Sequence, residues 1–170
     1  SDAVSAVVPG FDNDPIAEQY THELYAGTNE NMILTIFPAK KNGILVGAAV
    51  ESLTRKGFGG EISIMVGFNA DGSIRNYQVL KHAETPGLGS KMQEWFRTDK
   101  NHQSILGLNP GKGEMKVSKD GGNIDAITAA TISSRAFIDA IQNAYRAFMG
   151  EPDVHSAASP KANQNKEGKK

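Results

Sequence analysis

From residue 31 onward the apolar residues fall first in short runs and then at helical spacing. Four stretches, "NMILTIFPA", "GILVGAAVESLT", "GEISIMVGF" and "SIRNYQVLKHAE", are short, rich in β-branched and apolar residues and bounded by turn residues, which predicts strands. The first two are joined by "KKNG" and the last two by "NADGS", both with the residues that tight hairpin turns require. The spacing then changes. Phe137, Ile138, Ile141, Ala144, Tyr145 and Phe148 recur at helical spacing and predict a helix from about Thr131 to Met149. A shorter helix is expected after Pro86, holding Met92, Trp95 and Phe96, and "GEMKVSKDG" reads as a short strand and turn. Upstream, Ile16, Tyr20 and Leu24 fall four apart, so "DPIAEQYTHELYAG" is expected to form a short amphipathic helix. Meander strands with segregated helices predict an α+β domain, an antiparallel meander sheet packed with helices.

The two ends differ from the middle. Residues 151–170 contain no Leu, Ile, Phe, Tyr, Trp or Met and many Lys, Ala, Ser and Pro, so they are expected to be disordered. The chain thus divides into a spacer and short helix over 1–29, a folded domain over 30–150 and a tail over 151–170.

Composition removes several functions. Of 170 residues none is cysteine, which excludes disulfides, thiolate-held clusters and cysteine nucleophiles. A net charge of -1 gives no reason to expect nucleic acid as a partner. The longest apolar run, Ile44 to Val50, is too short to span a membrane.

Two stretches carry candidate chemistry. In "HAETPGLGSK", His82 and Glu84 lie two apart, as in a metal-binding or deaminase H-x-E element, but the deaminase pattern needs cysteines. A zinc site would need a further ligand. A polar strand end before a turn accounts for the pair more simply, yet leaves the glycines of Thr-Pro-Gly-Leu-Gly unexplained. In "DAITAATISSRAF", hydroxyls and alanines crowd a predicted helix start. Asp125, Thr128 or Ser133 capping that helix explains the stretch about as well as an anion bound there does. No GxxxxGK[ST] or G-x-S-x-G occurs, so neither a P-loop nor a hydrolase elbow is present.

These two motifs, in this order and with "GFGGEISIMVGFNADGSI" before them, resemble the covalent FMN-binding domain family over roughly residues 30 to 149. Within it the arrangement is most similar to the G subunits of Rnf-type electron-transport complexes, and next to the C subunits of sodium-translocating NADH:quinone reductases. The resemblance implies that Thr131 carries FMN as a phosphoester, attached by a flavin transferase that takes FMN from FAD and releases AMP. Asp125, Thr128 and Ala130 match the motif's acid, hydroxyl and small position. Ala129 stands where the family has glycine, adding a methyl where a positive φ would be strained. Glu84, Thr85, Gly87, Leu88 and Gly89 match the turn against the flavin, with Leu88 facing the ring, Thr85 near its polar edge and Gly89 letting the backbone approach it.

The implied function is electron transfer as one component of an ion-translocating membrane redox complex. Its partners would be other membrane subunits. An anchor of about 20 apolar residues would precede Ser1 and hold the domain outside the cytoplasmic membrane. A stand-alone extracytoplasmic flavoprotein reductase and a non-redox module, in which Thr131 only caps a helix, are the alternatives.

Overall fold

The computed structural model describes residues 2–150. Five antiparallel strands follow one another across a single sheet, β1 (Tyr20–Leu24), β2 (Met32–Lys41), β3 (Ile44–Gly57), β4 (Gly60–Asn69) and β5 (Ile74–Lys81). The four strands expected from the sequence are β2 to β5. Asn42 and Gly43, both at positive φ, close the β2–β3 hairpin with the twist that a two-residue loop favours.

Helix α3 (Thr131–Met149) crosses one face of the sheet. Ile62, Ile64, Val66 and Phe68 point toward it from β4, while Phe137, Ile141 and Ala144 point back; all are fully buried. Phe137 stacks on Phe96 and meets the edge of Tyr77, which ties the helix to the segment after β5. Polar groups in this interface are paired. Ser52 donates to the carbonyl of Ala140, and Asn143 donates to Leu53 O while accepting from Tyr25 Oη. Helix and sheet are thereby fixed in register, so the start of α3 has a defined position over the sheet edge.

The opposite face is covered by α1 (Asp2–Val7). Val4, Val7 and Val8 pack on Phe37, Ala49 and Met65, and a Cβ at Gly67 would fall on the carbonyl of Val7. The first fifteen residues, expected to be a spacer, therefore contain a packed helix. The amphipathic helix expected over 14–27 does not form. Asp14 Oδ1 accepts from the N–H groups of Ile16 and Ala17 to make a turn, and residues 20–24 pair with β2 as an edge strand. Of the three apolar residues that suggested a helix face only Leu24 is buried. The tail reading over 151–170 lies outside the described residues.

After β5 the chain turns through Gly89–Lys91 into one helical turn, α2 (Met92–Trp95), so the helix expected to hold Met92, Trp95 and Phe96 ends one residue short of Phe96; Met92 and Phe96 are buried and Trp95 is half-buried. The strand expected in "GEMKVSKDG" is reduced to one bridge between Val117 and Ile124 and a 3-10 turn at Ser118–Asp120.

Candidate functional site

The start of α3 lacks a side-chain cap. Its first turn therefore presents backbone N–H groups that no side chain satisfies, the arrangement that favours an anion. The hydroxyls around it have separate duties. Ser134 Oγ accepts from Ile127 N at 2.9 Å and donates to Ala130 O, locking the entry loop onto the helix. Ser133 Oγ donates to Glu84 Oε1 at 2.6 Å. The hydroxyls of Thr128 and Thr131 have no hydrogen-bond partner among the described residues. Capping by Asp125, Thr128 or Ser133 is thus not what this stretch does.

A cleft of 390 Å³ opens at this helix end, lined by Phe58, Thr85, Leu88, Gly89, Ala129, Ala130, Thr131, Ile132 and Ser133. Its rim is apolar: Phe58 is 68 % exposed, Ile132 50 % and Leu88 36 %, unusual for large apolar side chains that are not covering a core. Thr131, at the first position of α3, and Ala129 also line a second cleft together with residues 125–128.

Beneath the first cleft lies Glu84, 5 % exposed. Its carboxylate accepts from the N–H groups of Phe58 and Gly59, each at 2.9 Å, besides Ser133. One side chain thus joins the β3–β4 hairpin to the first turn of α3. The backbone of Glu84 donates to His82 Nδ1 at 3.0 Å. Strand β5 ends at Lys81, so His82 and Glu84 do not share a strand face, and no cluster of three or more metal-ligating side chains occurs among the described residues.

The residues named from sequence divide into two groups. Thr85, Leu88, Gly89, Ala129, Ala130 and Thr131 meet around the cleft. Glu84 supports it from below. Gly87 sits at φ +76° in the exposed turn, where Ser90 Oγ accepts its N–H. Asp125 braces the loop: its carboxylate accepts from His102 N and its carbonyl from the Trp95 indole N–H. Thr128 lines only the second cleft. Gly89 carries a revised meaning. A Cβ there would fall on Ser133 Oγ and 2.8 Å from Glu84 Cβ, so its smallness lets the turn dock on α3. Phe58 belongs to the site without lying in either motif, an aromatic between glycines in "GFGG" being its available signal, whereas Ile132 and Ser133 lie within the second motif without a role toward the cleft having been assigned to them.

Ala129 has φ +62°. The loop keeps a left-handed residue where a methyl makes that conformation costly, by roughly 1–2 kcal/mol. Ala129→Gly is accordingly expected to leave stability unchanged or raise it by up to about 1 kcal/mol, as read by urea unfolding, part of the gain being offset by glycine's freer unfolded chain.

A meander sheet backed by one long helix, with an apolar cleft at the uncapped helix start, is the architecture of an α+β flavin-binding domain. Residues 57–146 match the family model described as FMN-binding domain. The chain belongs to that family. Among curated proteins it is similar to the G subunit of the ion-translocating oxidoreductase complex of Aliivibrio fischeri strain ES114, with 35 % identity over 139 residues covering 75 % of this chain and 65 % of that protein. The proteins of the same name from Vibrio vulnificus and Yersinia pestis are 32 % and 35 % identical, with 69 % and 67 % of their lengths covered. The chain thus spans about two thirds of these relatives.

The residues present fit FMN. Apolar walls at Phe58, Leu88 and Ile132 suit a flat aromatic ring, and an uncapped first turn suits a phosphate beside the free Thr131 hydroxyl.

Proposed function

We propose that this chain is the electron-carrying domain of an Rnf-type ion-translocating redox complex, with FMN held as a phosphoester on Thr131. The observation that carries the reading is the uncommitted Thr131 hydroxyl at the uncapped start of α3, on the edge of the apolar cleft. Thr128 is equally uncommitted but does not reach that cleft.

Attachment requires an FAD-using flavin transferase. The Thr131 Oγ–P bond forms as the anhydride of FAD breaks, AMP leaves, and the hydroxyl proton passes to a base of the transferase. Bound FMN supplies reversible electron acceptance and donation. The rest is the work of this chain. The first turn of α3 stabilises the remaining phosphodiester charge by about 0.3–1 kcal/mol. Ala129 and Ala130 leave the hydroxyl accessible, Phe58, Leu88 and Ile132 keep water from the ring, and Glu84 holds both walls together.

The names of the relatives support partnership with other subunits of a membrane complex. Among the described residues no helix is long and apolar enough to cross a membrane. Our reading places the domain outside the cytoplasmic membrane, held by an apolar anchor of about 20 residues ahead of it. A covalent link fits that location, because a tethered flavin is not lost by dilution. In fractionated cells the full-length product should be in the membrane and be cut by protease added to spheroplasts. A cytoplasmic or protease-protected product would contradict the anchor and the orientation.

The cofactor itself is tested by colour. Protein co-produced with a transferase should stay yellow after denaturation and gel filtration, whereas protein made without one should be colourless. Flavin released on denaturation would contradict the covalent link.

A further inference from the structure

Two loop tips end the domain beside the first cleft, and each carries one exposed apolar side chain. Phe58 sits at the tip of the β3–β4 hairpin, and Leu88 in the turn from Thr85 to Ser90. Ile132 joins them from the first turn of α3. Both tips have their backbone donors committed inside the protein. The N–H groups of Phe58 and Gly59 go to the Glu84 carboxylate. In the other turn Leu88 N and Ser90 N donate to Thr85 O, Gly87 N donates to Ser90 Oγ, and Pro86 has no N–H. Loop tips that face water do not need this, because water satisfies exposed donors. Tips that enter an apolar interface do need it.

The tips are also held stiff. Glu84 ties the hairpin to Ser133, a Cβ at Gly59 would fall on the carbonyl of Ala83, and one at Gly89 would fall on Ser133 Oγ. Docking both tips at once therefore requires little new ordering.

Charge narrows the kind of surface they meet. Arg55, Lys56, Lys81 and Lys91 each lie within three residues of Phe58, Glu84 or Leu88, and the acids in those same spans are Glu61 and the buried Glu84. The whole chain has 18 basic residues against 19 acidic ones, so this end is locally cationic. From α3, Asp139 approaches Lys56 at 3.5 Å, and Arg135 is paired with Asp120. Lys81 and Lys91 take part in no ion pair among the described residues. Apolar tips flanked by cations suit an anionic bilayer interface, with the apolar groups at the acyl boundary and the cations at the phosphate headgroups. The committed backbone donors favour lipid over a protein partner, which could have bonded to them.

Resting on the reading of this domain as part of a membrane complex, but not on FMN at Thr131, we propose that Phe58 and Leu88, with Ile132 beside them, rest on an anionic lipid surface. The first cleft is then turned toward the membrane.

The test mixes the ¹⁵N-labelled chain, made without a transferase so that no flavin covers the cleft, with nanodiscs carrying a gadolinium-headgroup lipid. The nanodiscs are otherwise equal parts phosphatidylcholine and phosphatidylglycerol. Amide signals of residues 57–60, 87–89 and 132 should broaden first, and those of Asn42 and Gly43, at the opposite end of β3, should not. Phe58→Ser should raise the lipid concentration needed for half the effect by roughly tenfold. Lys56→Gln/Lys91→Gln should raise it by roughly the same factor, and added salt should weaken the wild-type effect. Broadening that is absent, uniform or centred on another face would overturn the inference. So would silent tips in a protein whose full-length Phe58→Ser variant no longer co-purifies with other membrane subunits, because the tips would then meet protein. Full-length protein missing from the membrane fraction would overturn the membrane reading and this inference with it. Full-length protein in the membrane with no broadening at the tips would overturn this inference alone.

Discussion

Glu84→Ala is expected to lower stability by about 3 kcal/mol and to detach the β3–β4 hairpin from the start of α3. The carboxylate accepts from Phe58 N, Gly59 N and Ser133 Oγ and is almost wholly buried. Hydrogen bonds to a charged group contribute about 1.5–3 kcal/mol each, and donors left without an acceptor add a penalty of similar size. Because the Phe58 and Gly59 amides lie near the surface, water recovers part of the loss, which is why the expected total stays near 3 kcal/mol rather than the full sum. In a domain of this length that corresponds to a melting point lower by roughly 6–12 °C. Glu84→Gln should fall between the two, since its amide can accept from one donor but turns its own N–H groups toward another. The same variants should load flavin poorly, because Phe58 loses its place on the cleft rim. A loss below about 1 kcal/mol in Glu84→Ala would show that the hairpin is held by other contacts.

Thr131→Val is expected to do the opposite: to abolish covalent flavin while leaving the fold nearly unchanged. Valine keeps the branched shape, and the hydroxyl it removes has no partner among the described residues, so the stability change of the unloaded chain should stay within about 0.5 kcal/mol. Thr128→Val should load normally. If Thr131→Val retained the flavin mass, the acceptor would lie elsewhere. If it unfolded, the hydroxyl would have a structural duty that its surroundings do not show.

The contrast between these two residues shows what can be read from one dimension. Short runs of β-branched and apolar residues bounded by turn residues expose β2 to β5, because β2 to β4 are buried on both faces along their middles, by α3 on one side and α1 on the other, and each hairpin needs residues that tolerate its dihedrals. The last helix is legible for the same reason, having one continuous buried stripe. Strand β1 mimics a helix because Ile16, Tyr20 and Leu24 happen to lie four apart, while its actual determinant is pairing with β2 at the sheet edge. Helix α1 has six residues, too few to show a period, and it is held by docking onto Gly67 and its neighbours.

At the site, the two motifs point to the right loops but not to the duties of their members. Nothing local distinguishes Ser133, which bonds Glu84, from Thr131, which bonds nothing among the described residues. Glu84 matches a flavin-facing turn, yet its carboxylate reaches a hairpin 25 residues upstream. Ala129 is legible as a departure from glycine, and the loop adopts the left-handed conformation regardless. Pattern reveals which segments meet, whereas the assignment of each polar atom depends on partners distant in the chain.

The most direct test of the account is to locate the flavin on one residue. Trypsin cuts after Lys119 and after Arg135, so one peptide, Asp120 to Arg135, holds Thr128, Thr131, Ser133 and Ser134 together. From full-length protein produced with a flavin transferase, that peptide should be heavier by one FMN less water, and fragmentation should put the added mass on Thr131. Added mass on Thr128, Ser133 or Ser134, or a peptide of unmodified mass from protein that is still yellow, would contradict it.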